Sequence, residues 1–249
     1  MLLNLGSGSA TSSRQGVVNI DWSMYLRLRR SPLLRLLAMP LLSHQRRERL
    51  RDIGDNVLPH DLSKGIPFED ASVDAVYASH LLEHLDRNIA VLFLREIRRV
   101  LKPGGIVRIV VPDLEFLVRR YLQHLTECEG NPDERPDHDD FVAALYEQSV
   151  RKIGFGTTQQ SRLRRFADRI ILGDARRRGE THQWMYDRFN LAMAFEQSGL
   201  VEPSLEGCDT SGIADWGEYV LDRDQLGRER HPNSLYMEAR APDAAGTSS

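Results

Sequence analysis

The chemistry-bearing residues of this 249-residue sequence cluster early. A short apolar run, Leu2-Leu3-Asn4-Leu5, leads into Gly6-Ser7-Gly8-Ser9-Ala10. Glycines following Leu5 permit a tight turn and let backbone N–H groups approach a ligand closely, although an ordinary strand-to-helix turn would use the same residues. A second run, Val17-Val18-Asn19-Ile20-Asp21, ends in a carboxylate that can accept both hydroxyls of a ribose, which points to an adenosine-bearing ligand. A nicotinamide cofactor fits less well. Its fingerprint wants a third glycine where Thr11 stands, and Gly8 and Asp21 are too close for more than a very short helix between them. Further along, His60-Asp61-Leu62 and Ser79-His80 each follow a predicted strand.

These residues need elements to hold them. Short apolar runs that end in turn residues and alternate with helical patterns argue for strands and helices around a mainly parallel sheet. Strands are expected at Leu2–Leu5, Val17–Ile20, Asn56–Pro59, Ala75–Ala78, Ile106–Val111, Val201–Glu206 and Leu235–Arg240, all but the last two parallel. From Asp86 to Leu101, Ile89, Leu92, Phe93, Ile97, Val100 and Leu101 recur at helical spacing, and Lys102-Pro103-Gly104-Gly105 stops the helix. The fold class expected is α/β: a Rossmann-like, doubly wound, seven-stranded and mostly parallel sheet in one domain over residues 1–242, with a frayed tail from 243 to 249. Two helical insertions are expected, at about 23–53 and 114–179, the second acidic from Glu127 to Asp140 and basic from Arg162 to Arg178.

The third and fourth strands add Ile66-Pro67-Phe68-Glu69-Asp70-Ala71-Ser72-Val73-Asp74-Ala75-Val76-Tyr77-Ala78-Ser79-His80, followed by Glu83-His84 and Leu101-Lys102-Pro103-Gly104-Gly105. Over about the first 112 residues this ordered set resembles the class I S-adenosylmethionine-dependent methyltransferases. The resemblance implies S-adenosylmethionine as cofactor, with Gly6 and Gly8 beside its amino-acid part and Asp21 on the ribose. It further implies Asp61 at the adenine amino group, Leu62 beside the ring, and Ser79 and His80 near the methyl-bearing sulfur. The chain departs from the family pattern at Asn4, where an acidic residue is common, and at Ala10, where a third glycine is common. A smaller group of relatives shares a later His-x-Trp-x-Tyr element, here His182-Gln183-Trp184-Met185-Tyr186, and many of those are tied to cell-envelope saccharide synthesis.

Methyl transfer is an in-line displacement at a sulfonium carbon, so positioning supplies most of the catalysis. A base is needed only if the acceptor must lose a proton. For a sugar hydroxyl His80, Asp113 or His182 could take it, with His182 and His80 favoured. Each has a structural reading as well: His80 as a cap or pocket wall, His182 as an anchor for the insertion, Asp113 as a helix cap. A saccharide or glycolipid hydroxyl is the first expectation for the acceptor and a small metabolite the second. A cofactor-binding partner subunit without catalysis is the alternative from another class, raised by Asn4 and Ala10. His80-Leu81-Leu82-Glu83-His84 also matches His-x-x-Glu-His, the pattern of inverted zinc peptidases, but within methyltransferase-like surroundings no metal is expected.

Hydrophobic residues at 41% and charged residues at 28% are ordinary for a globular chain, and a net charge of -3 gives no overall attraction to nucleic acid. Arg27, Arg29, Arg30, Arg35, Arg46, Arg47, Arg49 and Arg51, interleaved with leucines, could touch an anionic membrane surface, but leucines on the sheet and arginines in water account for them more simply. Two cysteines, Cys128 and Cys208, make no disulfide framework and suit a reducing compartment. The absence of a signal-like start points to the cytoplasm. The oligomeric state is not legible in the sequence.

Overall fold

The computed structural model describes residues 1–22, 26, 56–148 and 182–243. The expected basic stretch Arg27–Arg51, the basic part Arg162–Arg178 and all but the first residue of the expected tail lie outside them.

Seven strands form one sheet: β1 (Leu2–Leu5), β2 (Val17–Asp21), β3 (Val57–Pro59), β4 (Val73–Ser79), β5 (Leu101–Pro112), β6 (Val201–Glu206) and β7 (Ser234–Arg240). Their order across the sheet is β3-β2-β1-β4-β5-β7-β6. Strands β1 to β5 pair in parallel, and β7 lies antiparallel to both β5 and β6. Strand β6 therefore runs the same way as the first five, and only β7 is reversed, a correction to the expectation that both late strands would run against the sheet. The cause is the position of β7, which threads between β5 and β6 and reverses the direction at each step.

The first strands read as buried apolar runs because both faces are covered. All four residues of β1 are buried, and Val73, Ala75, Val76, Tyr77 and Ala78 of β4 follow suit. Helix α1 (Arg87–Val100) lays Ala90, Phe93, Leu94, Ile97 and Val100 on one sheet face, each large side chain worth ~1.5–3 kcal/mol of burial. Ile89 and Leu92 of the expected stripe are instead 50% and 52% exposed. Ala90 and Leu94 take their place on the buried face.

The very short helix expected between Gly8 and Asp21 is replaced by turns. Asn19 of β2 and Asn56 just before β3 hold that connection instead, both donating to Ser12 O, at 2.8 and 2.9 Å. Of the expected second insertion, the described part is helical: α2 (Leu114–Gly130), a 3₁₀ turn, and α3 (His138–Gln148). Helix α4 (Arg188–Ser198) then covers the same face as α1. Among the described residues no helix is long and apolar enough to cross a membrane.

Candidate active site at the carboxyl ends of the strands

The sheet changes winding direction between β1 and β4, because the chain first moves outward through β2 and β3 and then returns to the other side of β1. In open α/β sheets ligands bind in the crevice that opens at such a point. Strand β1 delivers the glycine turn there, and β4 delivers Ser79 and His80 beside it.

The turn needs its glycines. Gly6 has φ +67° and Gly8 φ +49°, the left-handed region that costs a side chain strain. A Cβ on Gly6 would press on Leu81 at 3.1 Å, whereas one on Gly8 would meet nothing within 4 Å, so the second glycine faces open space. Asn4, the departure from the family pattern, builds the floor of the turn. Its amide donates to Ala10 O at 2.8 Å and to Asn19 Oδ1 at 2.9 Å, and Asn19 Oδ1 also accepts from Ser12 N at 3.0 Å. A carboxylate could donate neither bond.

Three polar side-chain atoms around this crevice are buried without a hydrogen-bond partner: Ser7 Oγ, Asp21 Oδ2 and Ser79 Oγ. Asp21 is 8% exposed at the end of β2. Buried polar atoms are nearly always paired, so orphaned atoms at the ends of β1, β2 and β4 mark where a polar ligand belongs. Asp61 caps the turn Leu62–Lys64 after β3, its Oδ1 accepting from Ser63 N at 3.1 Å and Ser63 Oγ at 2.7 Å. These bonds hold its carboxyl below the usual range. Leu62 is partly buried against the core. An adenosine-bearing cofactor fits this set: an unsatisfied carboxylate for hydroxyls, an open glycine turn, and an anchored acid further along the same edge.

His80 stands in a left-handed conformation, φ +50°, at a cost of order 1–3 kcal/mol that a histidine bears only where its surroundings fix it. Its backbone N–H donates to Val110 O, its Nε2 lies 3.1 Å from Ser234 Oγ on β7, and its ring packs on His231 with centroids 4.4 Å apart. Nδ1 is 3.2 Å from Oε1 of Glu83, which is fully buried, yet neither Glu83 oxygen is in line for a hydrogen bond. Burial raises the Glu83 carboxyl, but His80 and His84 outweigh it, and its pKa is lowered. His84 Nε2 lies 3.8 Å from the same oxygen, and the His182 ring meets His84 edge-on at 5.0 Å. Both histidines expected as bases thus gather around one buried carboxylate that sequence reasoning quoted but did not assign. The backbone fixes the arrangement, since Gln183 N and Trp184 N both donate to Glu83 O.

The ligand atoms of Glu83, His84 and His182 lie within 4.8 Å of one another, close enough to share a cation. The His-x-x-Glu-His stretch is not the helix of a zinc peptidase, however. It runs from a strand end into a 3₁₀ turn, Leu82–His84, so its histidines do not share a helical face. Asp113 caps α2, accepting from Phe116 N at 3.2 Å, as its structural reading anticipated. Tyr186 and Trp216 are buried core residues, and Trp184 packs against the core with Arg87 over its ring.

A cleft of about 490 Å³ borders the glycine turn, lined by Ser9, Ala10, Asp224, Arg228, Glu229, Arg230 and His231. Burial, then His80 and Arg230, push the His231 imidazole down to about 4. Neither His231 nor Ser234 carried a sequence signal, because both reach the site through the pairing of β7 with β5.

Residues 37–109 match the model of a family described as a methyltransferase domain. That match covers under a third of the chain, which over this stretch is similar to a methyltransferase domain. The matched stretch carries β3, β4, α1 and most of β5, while Gly6, Gly8 and Asp21 lie outside it. Solved structures of similar shape include an S-adenosylmethionine-dependent methyltransferase from Methanosarcina mazei, 14% identical, matching 98% of this chain and 92% of that one with a TM-score of 0.43. Another, from Thermotoga maritima, is 13% identical over 96% and 81% of the two chains at 0.43. The 1,6-didemethyltoxoflavin-N1-methyltransferase of Burkholderia thailandensis, solved with that compound and S-adenosylhomocysteine, is 14% identical over 97% and 71% at 0.42. Likeness this distant carries no argument about the acceptor.

Proposed function

We propose that this protein is a class I S-adenosylmethionine-dependent methyltransferase that methylates a hydroxyl, with a saccharide or glycolipid as the first acceptor class and a small hydroxylated metabolite as the second. The observation that carries the cofactor half is the orphaned, buried Asp21 Oδ2 beside the open glycine turn. Asp21 would take the ribose hydroxyls, Ser7 and the backbone after Leu5, Gly6 and Gly8 the amino-acid part, and Asp61 with Leu62 the adenine. When bound, S-adenosylmethionine supplies an electrophilic methyl carbon on its sulfonium.

The acceptor half rests on the histidines and the cleft. An oxygen that attacks carbon forms one C–O bond as the C–S bond breaks, and its proton must leave. His80 receives it, with Glu83 at 3.2 Å to stabilise the imidazolium, and His182 on the far side of the cluster is the second candidate. A cleft whose walls offer Asp224, Arg228, Glu229 and Arg230 suits an acceptor rich in hydroxyls.

Calorimetric titration with S-adenosylhomocysteine tests the cofactor half: Asp21→Ala should weaken binding at least tenfold, ~1.4 kcal/mol. Labelled methyl transfer to panels of saccharides, hydroxylated metabolites and amines tests the other. His80→Gln should keep cofactor affinity while turnover falls ~10²-fold. Transfer to amines alone, or full turnover by His80→Gln, would sink the hydroxyl reading and leave the cofactor site standing.

A further inference from the structure

A second cluster of ligating side chains lies away from the cofactor crevice, between α2 and α3. His124 of α2 is 2% exposed. Its Nε2 is 3.4 Å from Cys128 Sγ, one turn on along the same helix. Its Nδ1 is backed by Glu127 Oε2 at 3.3 Å. From the start of α3, His138 stacks on His124, ring centroids 5.3 Å apart and planes 17° off parallel, and Phe141 stacks on the His124 ring at 3.9 Å. His138 Nδ1 is buried without a hydrogen-bond partner. One ligand atom from each of His124, Cys128 and His138 falls within 4.8 Å of the others.

We propose that His124, Cys128 and His138 hold a zinc ion that clasps α2 to α3. The donor chemistry points there, since a thiolate with two imidazoles is a borderline-soft set that suits zinc over magnesium or calcium. The spacing agrees. Zinc–sulfur and zinc–nitrogen bonds of about 2.3 and 2.0–2.1 Å at a tetrahedral angle put the two donor atoms ~3.5 Å apart, which the 3.4 Å between Sγ and Nε2 matches. A plain thiol–imidazole hydrogen bond would explain that one distance, but not the remaining features. It leaves the buried Nδ1 of His138 unsatisfied and gives no reason for a carboxylate behind His124, whereas a metal-bound histidine almost always gives its other ring nitrogen to such a group. Three protein ligands plus a water complete a tetrahedral site. The clasp is structural: it orders a hairpin that otherwise buries little, since His124 is the one fully buried side chain described on α2.

The test uses the full chain, stripped with a chelator and titrated with zinc and with cobalt(II). One equivalent of metal is expected, with a thiolate-to-cobalt charge-transfer band that survives in Cys208→Ser and vanishes in Cys128→Ser. Zinc should raise the melting temperature of the parent protein and not that of Cys128→Ser, and Glu127→Gln should weaken zinc about 10–100-fold. S-adenosylhomocysteine affinity should change less than about twofold on stripping, which separates this site from the cofactor crevice. No stoichiometric binding would overturn the proposal. So would a cobalt spectrum without the thiolate band that Glu83→Gln removes, since the metal would then sit at Glu83, His84 and His182.

Discussion

Asn4 Nδ2 carries two hydrogens and spends both on the floor of the cofactor turn, one on Ala10 O and one on Asn19 Oδ1. Replacing it with the acid common in the family would set a carboxylate against two buried oxygens. Asn4→Asp should therefore cost ~1–3 kcal/mol, read as a lower urea midpoint, and should weaken S-adenosylhomocysteine as well. An unchanged midpoint would show that the ladder of amides does not hold the turn. His231 makes a second argument at this scale. Burial, His80 and Arg230 lower its pKa from 6.5 to about 4, with Glu83 pulling weakly the other way. Because the folded value lies below the unfolded one, its contribution is intact above about pH 6.5 and is lost as the pH falls towards 4. Glu83, also lowered, acts in the same direction. The melting temperature should drop on going from about pH 7 to about pH 5, and less steeply in His231→Gln; parallel profiles for the two proteins would refute this.

Helix α4 begins with a reciprocal cap: Asp187 Oδ1 accepts from Phe189 N and Asn190 N, and Asn190 Oδ1 accepts from Asp187 N. Just before it, Tyr186 O accepts from Leu114 N, which ties the His182–Tyr186 segment to the start of α2. Asp187→Ala should cost about 1 kcal/mol, a fall of ~2–4 °C in melting temperature for a chain of this size. A larger loss of turnover than of stability would show that the cap also registers His182 on Glu83. Elements are where the sequence was most legible. The bounds of β1 and β6 can be read directly from their apolar runs and flanking turns. Strand β5 runs longer than its apolar pattern suggests, because Lys102-Pro103-Gly104-Gly105 looks like a helix stop. It serves as strand as well, with Gly104 at φ +70° and Gly105 so close to Lys102 O that a Cβ would sit 2.8 Å away. The places of Asp21, Ser79 and His80 at strand ends are legible because they close runs whose register is local. Ser234 and His231 were not, since nothing near them in sequence specifies a contact 154 residues away.

Across the whole molecule, the face of the sheet away from α1 is organised by a buried charge. Arg108 of β5 is fully buried and pairs with Asp222 and Glu238, each at 2.7 Å, while also donating to Thr210 O and Gly207 O. Tyr77 and Trp216 add hydrogen bonds to Asp222. Burial raises the Asp222 carboxyl, and Arg108 opposes that. Removing the cation leaves two buried carboxylates without their counter-ion, so Arg108→Ala should cost about 3–5 kcal/mol in denaturant unfolding. A loss under about 1 kcal/mol would mean that the network relaxes into water.

The threading of β7 between β5 and β6 has a consequence for synthesis. During translation β1 to β5 can pair as they emerge, but β6, whose sheet pairing is with β7, must wait with its edge unmatched. The same late strand brings Ser234 to His80. A ribosome-bound nascent chain can thus complete the half of the sheet that bears the glycine turn and Asp21 while its proposed proton acceptor is still unclasped, and the reactive half of the pocket assembles last.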